Sequence, residues 1–155
     1  MPGTIDARLD ELEIILPPAN KPAGNYVPFA ISGKLVFVSG QIPMSGGKPS
    51  HQGKLGAGIS VEQGADAARV CALAVLAQLK EAVGGDLDRV ARCVRVGGFV
   101  NSAPDFTEQP KVVNGASDLI VAVFGDAGRH ARAAVGVAQL PAGVAVEVEA
   151  IFELR

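Results

Sequence analysis

Arg132 stands at the head of the apolar run "ARAAVGVAQL", and Glu147 and Glu149 alternate along "VEVEAIF". A guanidinium presents parallel donors that match a carboxylate, and a neighbouring glutamate can orient a water and take its proton. Together these types could form a site for a small polar ligand. A phenol and a hydroxyl, Tyr26 and Ser39, flank another β-rich stretch, "YVPFAISGKLVFVS". With Ser32-Gly33 as a two-residue hairpin turn, Ile31 opposes Lys34 and Tyr26 falls opposite Ser39 on one face. Across "LPAG", setting Gln139 opposite Val144 places Gly136 opposite Glu147 and Ala134 opposite Glu149, on the face that carries Arg132. Small Ala134 and Gly136 leave space there for a ligand or a neighbouring subunit. Two plainer readings stand beside this one. Arg132 pairs structurally with a glutamate across the hairpin, or the glutamates alternate onto a solvated face.

The remaining polar clusters carry less. "MSGGKPSHQGKLGAG" is rich in glycine and lysine but matches neither GxxxxGK[ST] nor GxGxxG, so it reads as a surface loop rather than a phosphate cradle, with His51 a solvated side chain. Arg89, Arg92 and Arg95 recur every third residue, as an anion-binding patch or as a solvated or interface face. Cys71 and Cys93 lack CxxC spacing and sit among apolar residues, which predicts two buried thiols in a reducing compartment. A formal net charge of −2 argues against a nucleic-acid surface. No apolar run is long enough to span a membrane, and "MPGTIDARLDELEIILPP" lacks the pattern of a signal peptide. The expected location is the cytoplasm.

These residues need elements to position them. In 155 residues one domain is expected, its first 24 residues forming a helix and linker: Ile5, Leu9, Leu12 and Leu16 repeat at helical spacing before "PPANKPAG". After the hairpin, "SVEQ" is a capping box that opens a long helix ended by Gly84-Gly85. A strand begins near Val90 with Val94, Val96 and Val100 on one face, a second helix spans about Glu108 to Phe124, and two strands flank "LPAG". The order hairpin, helix, strand, helix, hairpin predicts an α+β layer with helices on one face of a sheet. Abundant Ala, Gly and Val without Trp favour thin, closely packed layers and an assembly.

Three ordered motifs resemble the Rid (reactive intermediate deaminase, YjgF-like) family: "SGQIP" at Ser39 to Pro43, "FTEQPKVVN" before the second helix, and "ARAAVGVAQLPAGVAVEVEAIF" at the C-terminus. The resemblance covers about Asn25 to Phe152. It implies a chorismate mutase-like α+β fold with a mixed sheet and two main helices on one face. It also implies a homotrimer with sites between subunits, and hydrolysis of enamines and imines such as 2-aminoacrylate and 2-iminopropanoate to 2-keto acids and ammonia. No cofactor or metal is expected. The matching residues are Arg132, Glu147, Tyr26 and Ser39 for catalysis, and Arg132, Asn114, Ser39 and Gly40 for substrate binding, with Arg132 taking the carboxylate. Ala134 stands where many relatives have cysteine, the loop from Met44 to Gly58 is longer, and the segment to Ala23 is extra. Arg129 and His130 are expected to be rim charges, and Glu149 a structural partner.

A deaminase is therefore the leading expectation, acting on a small carboxylate-bearing imine or enamine. A trimeric protein that binds 2-keto or carboxylic acids without turnover is the alternative, and an endoribonuclease comes third.

Overall fold

A computed structural model describes residues 3–155; Met1 and Pro2, the first two residues of the predicted extension, lie outside them. Helix α1, Thr4–Glu11, is shorter than its apolar repeat predicts. Glu13 takes a left-handed backbone, φ 56°, and the N–H groups of Ile14 and Glu13 turn back to the carbonyls of Leu9 (2.9 Å) and Asp10 (3.0 Å). That pair of bonds is a helix stop usually built on glycine, closed here by Leu9 and Ile14, both buried. At the other end, the Asp88 carboxylate accepts from the N–H groups of Thr4 (2.8 Å) and Ile5 (2.9 Å), so a distant residue caps the helix. The N–H groups of Ile5 and Thr4 hold the Asp88 carboxyl below its ordinary pKa.

The chain continues through strands β1 (Phe29–Ser32), β2 (Leu35–Gln41), β3 (Met44–Ser45), β4 (Lys48–Pro49), β5 (Lys54–Leu55) and β6 (Gly58–Ile59) to helix α2 (Val61–Ala82). Strand β7 (Val90–Asn101), helix α3 (Gln109–Phe124) and strands β8 (Ala131–Val137) and β9 (Val146–Leu154) follow. The predicted capping box is present: Gln63 N–H donates to Ser60 Oγ (3.1 Å) and Ser60 N–H to Gln63 Oε1 (2.9 Å). Helices α2 and α3 pack on one face of a mixed five-stranded sheet, in the order β1-β2-β9-β7-β8. The core lies between: Ala68, Ala72, Val75 and Leu79 of α2 and Val113, Ala116 and Ile120 of α3 meet Val146, Val148, Ala150 and Phe152 of β9. The helices approach so closely that a Cβ on Gly115 would lie 2.0 Å from the carbonyl oxygen of Ala65.

The strand pairings differ from expectation at both hairpins. In β1–β2, Ser32 opposes Leu35, so the turn is Gly33-Lys34. Gly33, at φ 61°, occupies the left-handed first turn position that only glycine takes cheaply. Ser39 consequently opposes Pro28, whose carbonyl its N–H meets at 2.9 Å, and not Tyr26. The slip is of two residues, which preserves the face but not the partner.

The C-terminal hairpin does not form. Helix α3 returns the chain as a crossover, so β8 runs parallel to β7 at the sheet edge. The segment around "LPAG" then passes the end of β7, where Asn101 N–H bonds the Ala145 carbonyl (2.9 Å), and β9 enters between β2 and β7. Ala134 therefore pairs with Gly98 and Gly136 with Val100, while Glu147 pairs with Phe99 and Glu149 with Gly97. Arg132, opposite buried Val96, lies on the helix-covered face; Glu147 and Glu149 alternate with buried Val146, Val148 and Ala150 and lie on the other. The expected sharing of one face is overturned, because Arg132 and Glu147 register on Val96 and Phe99, three residues apart on β7, and so face opposite sides of the sheet.

The predicted loop from Met44 to Gly58 is also more ordered than expected. Strands β3 and β4 form a small hairpin whose turn residues, Gly46 and Gly47, both have positive φ, and β5 and β6 pair in parallel. His51 is not a free solvated side chain: Nε2 lies 2.7 Å from Asp66 Oδ2 on α2 and Nδ1 lies 2.9 Å from Ser50 Oγ, which pins the segment to the helix.

Candidate functional site

Glu147 lines a cavity of about 310 Å³ with Tyr26, Gly40, Gln41, Asn20 and Lys21. Gly40 passes close to this carboxylate: a Cβ there would meet Glu147 Oε2 and push the glutamate aside. Burial, and secondarily the charge of Glu149, raises the pKa of Glu147 above the ordinary glutamate value. A carboxylate so placed takes a proton more readily than one in water, which suits a general base. Ser39, next to Gly40, does not itself line the cavity; its Oγ donates to the Val27 carbonyl (2.8 Å), so its lone pairs can still accept. The Tyr26 hydroxyl accepts from the N–H of Ala23 at 3.4 Å. One wall comes from the N-terminal linker, held by buried Gln78, whose Nε2 donates to the Asn20 carbonyl at 2.6 Å. Asn20 and Lys21 were not among the expected site residues, since nothing in a Pro-rich linker marks it as a pocket wall.

Arg132 belongs to a second cluster. Its Nη1 donates to Asn114 Oδ1 (2.9 Å) and Ser117 Oγ (3.2 Å), and its Nη2 reaches the Pro110 carbonyl (3.4 Å), all on α3. Asn114, expected to bind substrate, accepts from Arg132 here. Ser117 was missed, although its i,i+3 spacing from Asn114 marks one helix face. His130, expected at the rim, bonds Ser117 through Nε2 (2.9 Å), whereas Arg129 lies exposed beside Asp126 (3.3 Å). Glu149 faces Arg95 at 3.6 Å rather than Arg132.

The two clusters do not meet within a chain. Strands β8 and β9 are two strand spacings apart, about 10 Å, and Arg132 and Glu147 point to opposite faces. A small acid cannot touch both in one copy.

Elsewhere, Arg89 bonds the Val83 carbonyl (3.1 Å), Arg92 is exposed and Arg95 faces Glu149, so the three arginines form no common patch. Both cysteines are free and buried. Burial pushes the thiol of Cys71 up, and that of Cys93 to about 12, which leaves them protonated near neutral pH. Among the described residues no cluster of three or more His, Cys, Asp or Glu is placed to hold a metal ion, and no helix is long and apolar enough to cross a membrane.

Residues 6–153 match the family described as "YjgF/chorismate mutase-like, putative endoribonuclease". The protein TCP17 of Trypanosoma cruzi is 55% identical over 154 residues, 99% of this chain and 96% of its own. The crystal structure of Atu1372 from Agrobacterium tumefaciens, a protein of unknown function, superposes with a TM-score of 0.91 at 50% identity, covering 97% of this chain and 92% of that one. TdcF from E. coli, solved with bound serine, superposes with a TM-score of 0.61 at 26% identity over 88% of this chain and 93% of its own. With the α+β fold, the strand motifs and nearly the whole length in agreement, the chain belongs to the YjgF/chorismate mutase-like, or Rid, family.

Proposed function

We propose that this protein is a homotrimeric deaminase that hydrolyses carboxylate-bearing imines and enamines to 2-keto acids and ammonia. The observation that carries the proposal is the division of the site: Arg132 with Asn114 on one face, Glu147 with Gly40 and Tyr26 on the other. Cyclic assembly joins unlike surfaces of successive copies, so the Arg132 edge of one subunit can close the Glu147 cavity of the next. The sheet face without helices supports the same assembly, since it leaves Phe37 41% and Val135 45% exposed.

In that site the guanidinium of Arg132 pairs with the substrate carboxylate and fixes the C=N carbon against Glu147. Ser39 and Tyr26 hold the imine nitrogen. Water attacks the carbon while Glu147 takes one of its protons, and the nitrogen gains a proton as the carbinolamine forms. Glu147 passes its proton to the amine, the C–N bond breaks and ammonia leaves, and the hydroxyl proton is lost to solvent as the keto group forms. An enamine enters the same sequence after protonation at its β-carbon. Two free, buried thiols fit the reducing cytoplasm as the place of action.

The test supplies 2-iminopropanoate from an amino-acid oxidase acting on alanine and follows ammonia or pyruvate release. Wild type accelerates release, and Arg132→Ala, still trimeric, returns it to the uncatalysed rate. Equal rates for the two proteins would remove the proposal. Serine bound to TdcF gives a second reading some support, a protein that binds small acids without turnover. Pyruvate binding by calorimetry without any acceleration would select it. The endoribonuclease reading has only the family description behind it, against a net charge of −2.

A further inference from the structure

The Arg132 guanidinium has five N–H donors. Two on Nη1 serve Asn114 and Ser117, and one on Nη2 serves the Pro110 carbonyl. None of these bonds uses Nε. Nε–H has no acceptor among the described residues, and Nε with Nη2 forms the edge of the guanidinium that can hold a carboxylate through two bonds.

What keeps the other edge on α3 depends on Ser117, whose hydroxyl has one proton and two lone pairs. His130 sets their direction. The Gly128 carbonyl lies 2.6 Å from His130 Nδ1, and a carbonyl only accepts, so Nδ1 carries the ring proton. In the neutral ring Nε2 then accepts from Ser117 Oγ at 2.9 Å, which turns a serine lone pair toward Arg132 Nη1. Gly128 is itself held close to α3, where a Cβ would lie 2.6 Å from the Ile120 carbonyl oxygen.

We infer that His130 is a positioning residue that, through Ser117, holds the Arg132 guanidinium against α3 with its Nε–Nη2 edge open to the substrate carboxylate. This rests on the proposed role of Arg132 as the carboxylate anchor, and the test separates the two.

The full-length protein is titrated calorimetrically with pyruvate and with pyruvamide, which lacks the charge. His130→Leu weakens pyruvate binding about five-fold, as expected for one lost hydrogen bond in a charged network. His130→Gln, whose side-chain oxygen accepts the same proton, stays within about two-fold of wild type. Ser117→Ala matches His130→Leu, and the double variant binds no worse than either single one. Pyruvamide binding is unchanged throughout. If His130→Leu fails to fold, Ser117→Ala and His130→Gln carry the test. Wild-type pyruvate affinity in Ser117→Ala and His130→Leu, with loss in Arg132→Ala, overturns the positioning role and leaves the anchor standing. Unchanged pyruvate affinity in Arg132→Ala overturns the anchor itself.

Discussion

Glu147 combines partial burial with proximity to Glu149, and both disfavour its charge. Its folded pKa is raised above the unfolded value, so the stability of the protonated form is fully present below the unfolded pKa. That contribution is lost as pH rises through the folded pKa. Where it is ionised, the carboxylate is therefore held at some cost to stability. Glu147→Gln is predicted to raise the thermal midpoint at pH 7, with the gain shrinking as pH falls toward the ordinary glutamate range. The same variant loses imine-hydrolysing activity by at least on the order of 100-fold. Thermal melts across pH 4–8 beside the coupled assay read both effects; a variant no more stable than wild type at pH 7 would contradict the electrostatic account. Activity in the wild type falls on the acid side at a pH above that of an ordinary glutamate, because the base form is the active one.

Helix α3 does two jobs, and both depend on its distance from α2. Its inner face fills the core, and Asn114 and Ser117 hold Arg132. Gly115 sits between them. Replacing a mid-helix glycine with alanine ordinarily stabilises by about 1 kcal/mol. Here the added methyl meets the Ala65 carbonyl oxygen, which is backbone and cannot rotate away. The sign therefore reverses: Gly115→Ala is predicted to lower unfolding stability by roughly 1–3 kcal/mol and to raise KM for carboxylate substrates as α3 shifts. Urea titration with steady-state kinetics checks both, and a stability equal to wild type would show that the two helices can separate freely. The sequence marks both helix boundaries through Ser60, Gln63 and the closing glycines, but it gives no sign of how near the helices pass.

For the whole molecule, the division of Arg132 and Glu147 between faces makes a complementation test possible. Arg132→Ala and Glu147→Gln trimers, each inactive alone, are unfolded together and refolded as mixtures. Every mixed trimer then rebuilds one intact site from the Arg132 of one chain and the Glu147 of its neighbour. At equal proportions about a quarter of wild-type activity should return. If both groups served a site within one chain, no activity would return. Sedimentation of the wild type at three times the 15.8 kDa chain mass is the accompanying expectation.

Periodicity and capping residues by themselves determined the two main helices and the β-rich segments, because those signals are local and repeat along the chain. Arg132, Glu147, Tyr26, Ser39, Asn114 and Gly40 were all nameable from motif and chemistry. Only the tertiary structure decided which of them meet. Strand partners are chosen by connection and burial across long separations, so α3 sends β8 to the edge beside β7 while β9 enters beside β2. That choice moves Arg132 away from the glutamates and places it beside Ser117 and His130. It also leaves the Arg132 and Glu147 clusters apart within each chain, which is why the proposed function calls on a neighbouring subunit.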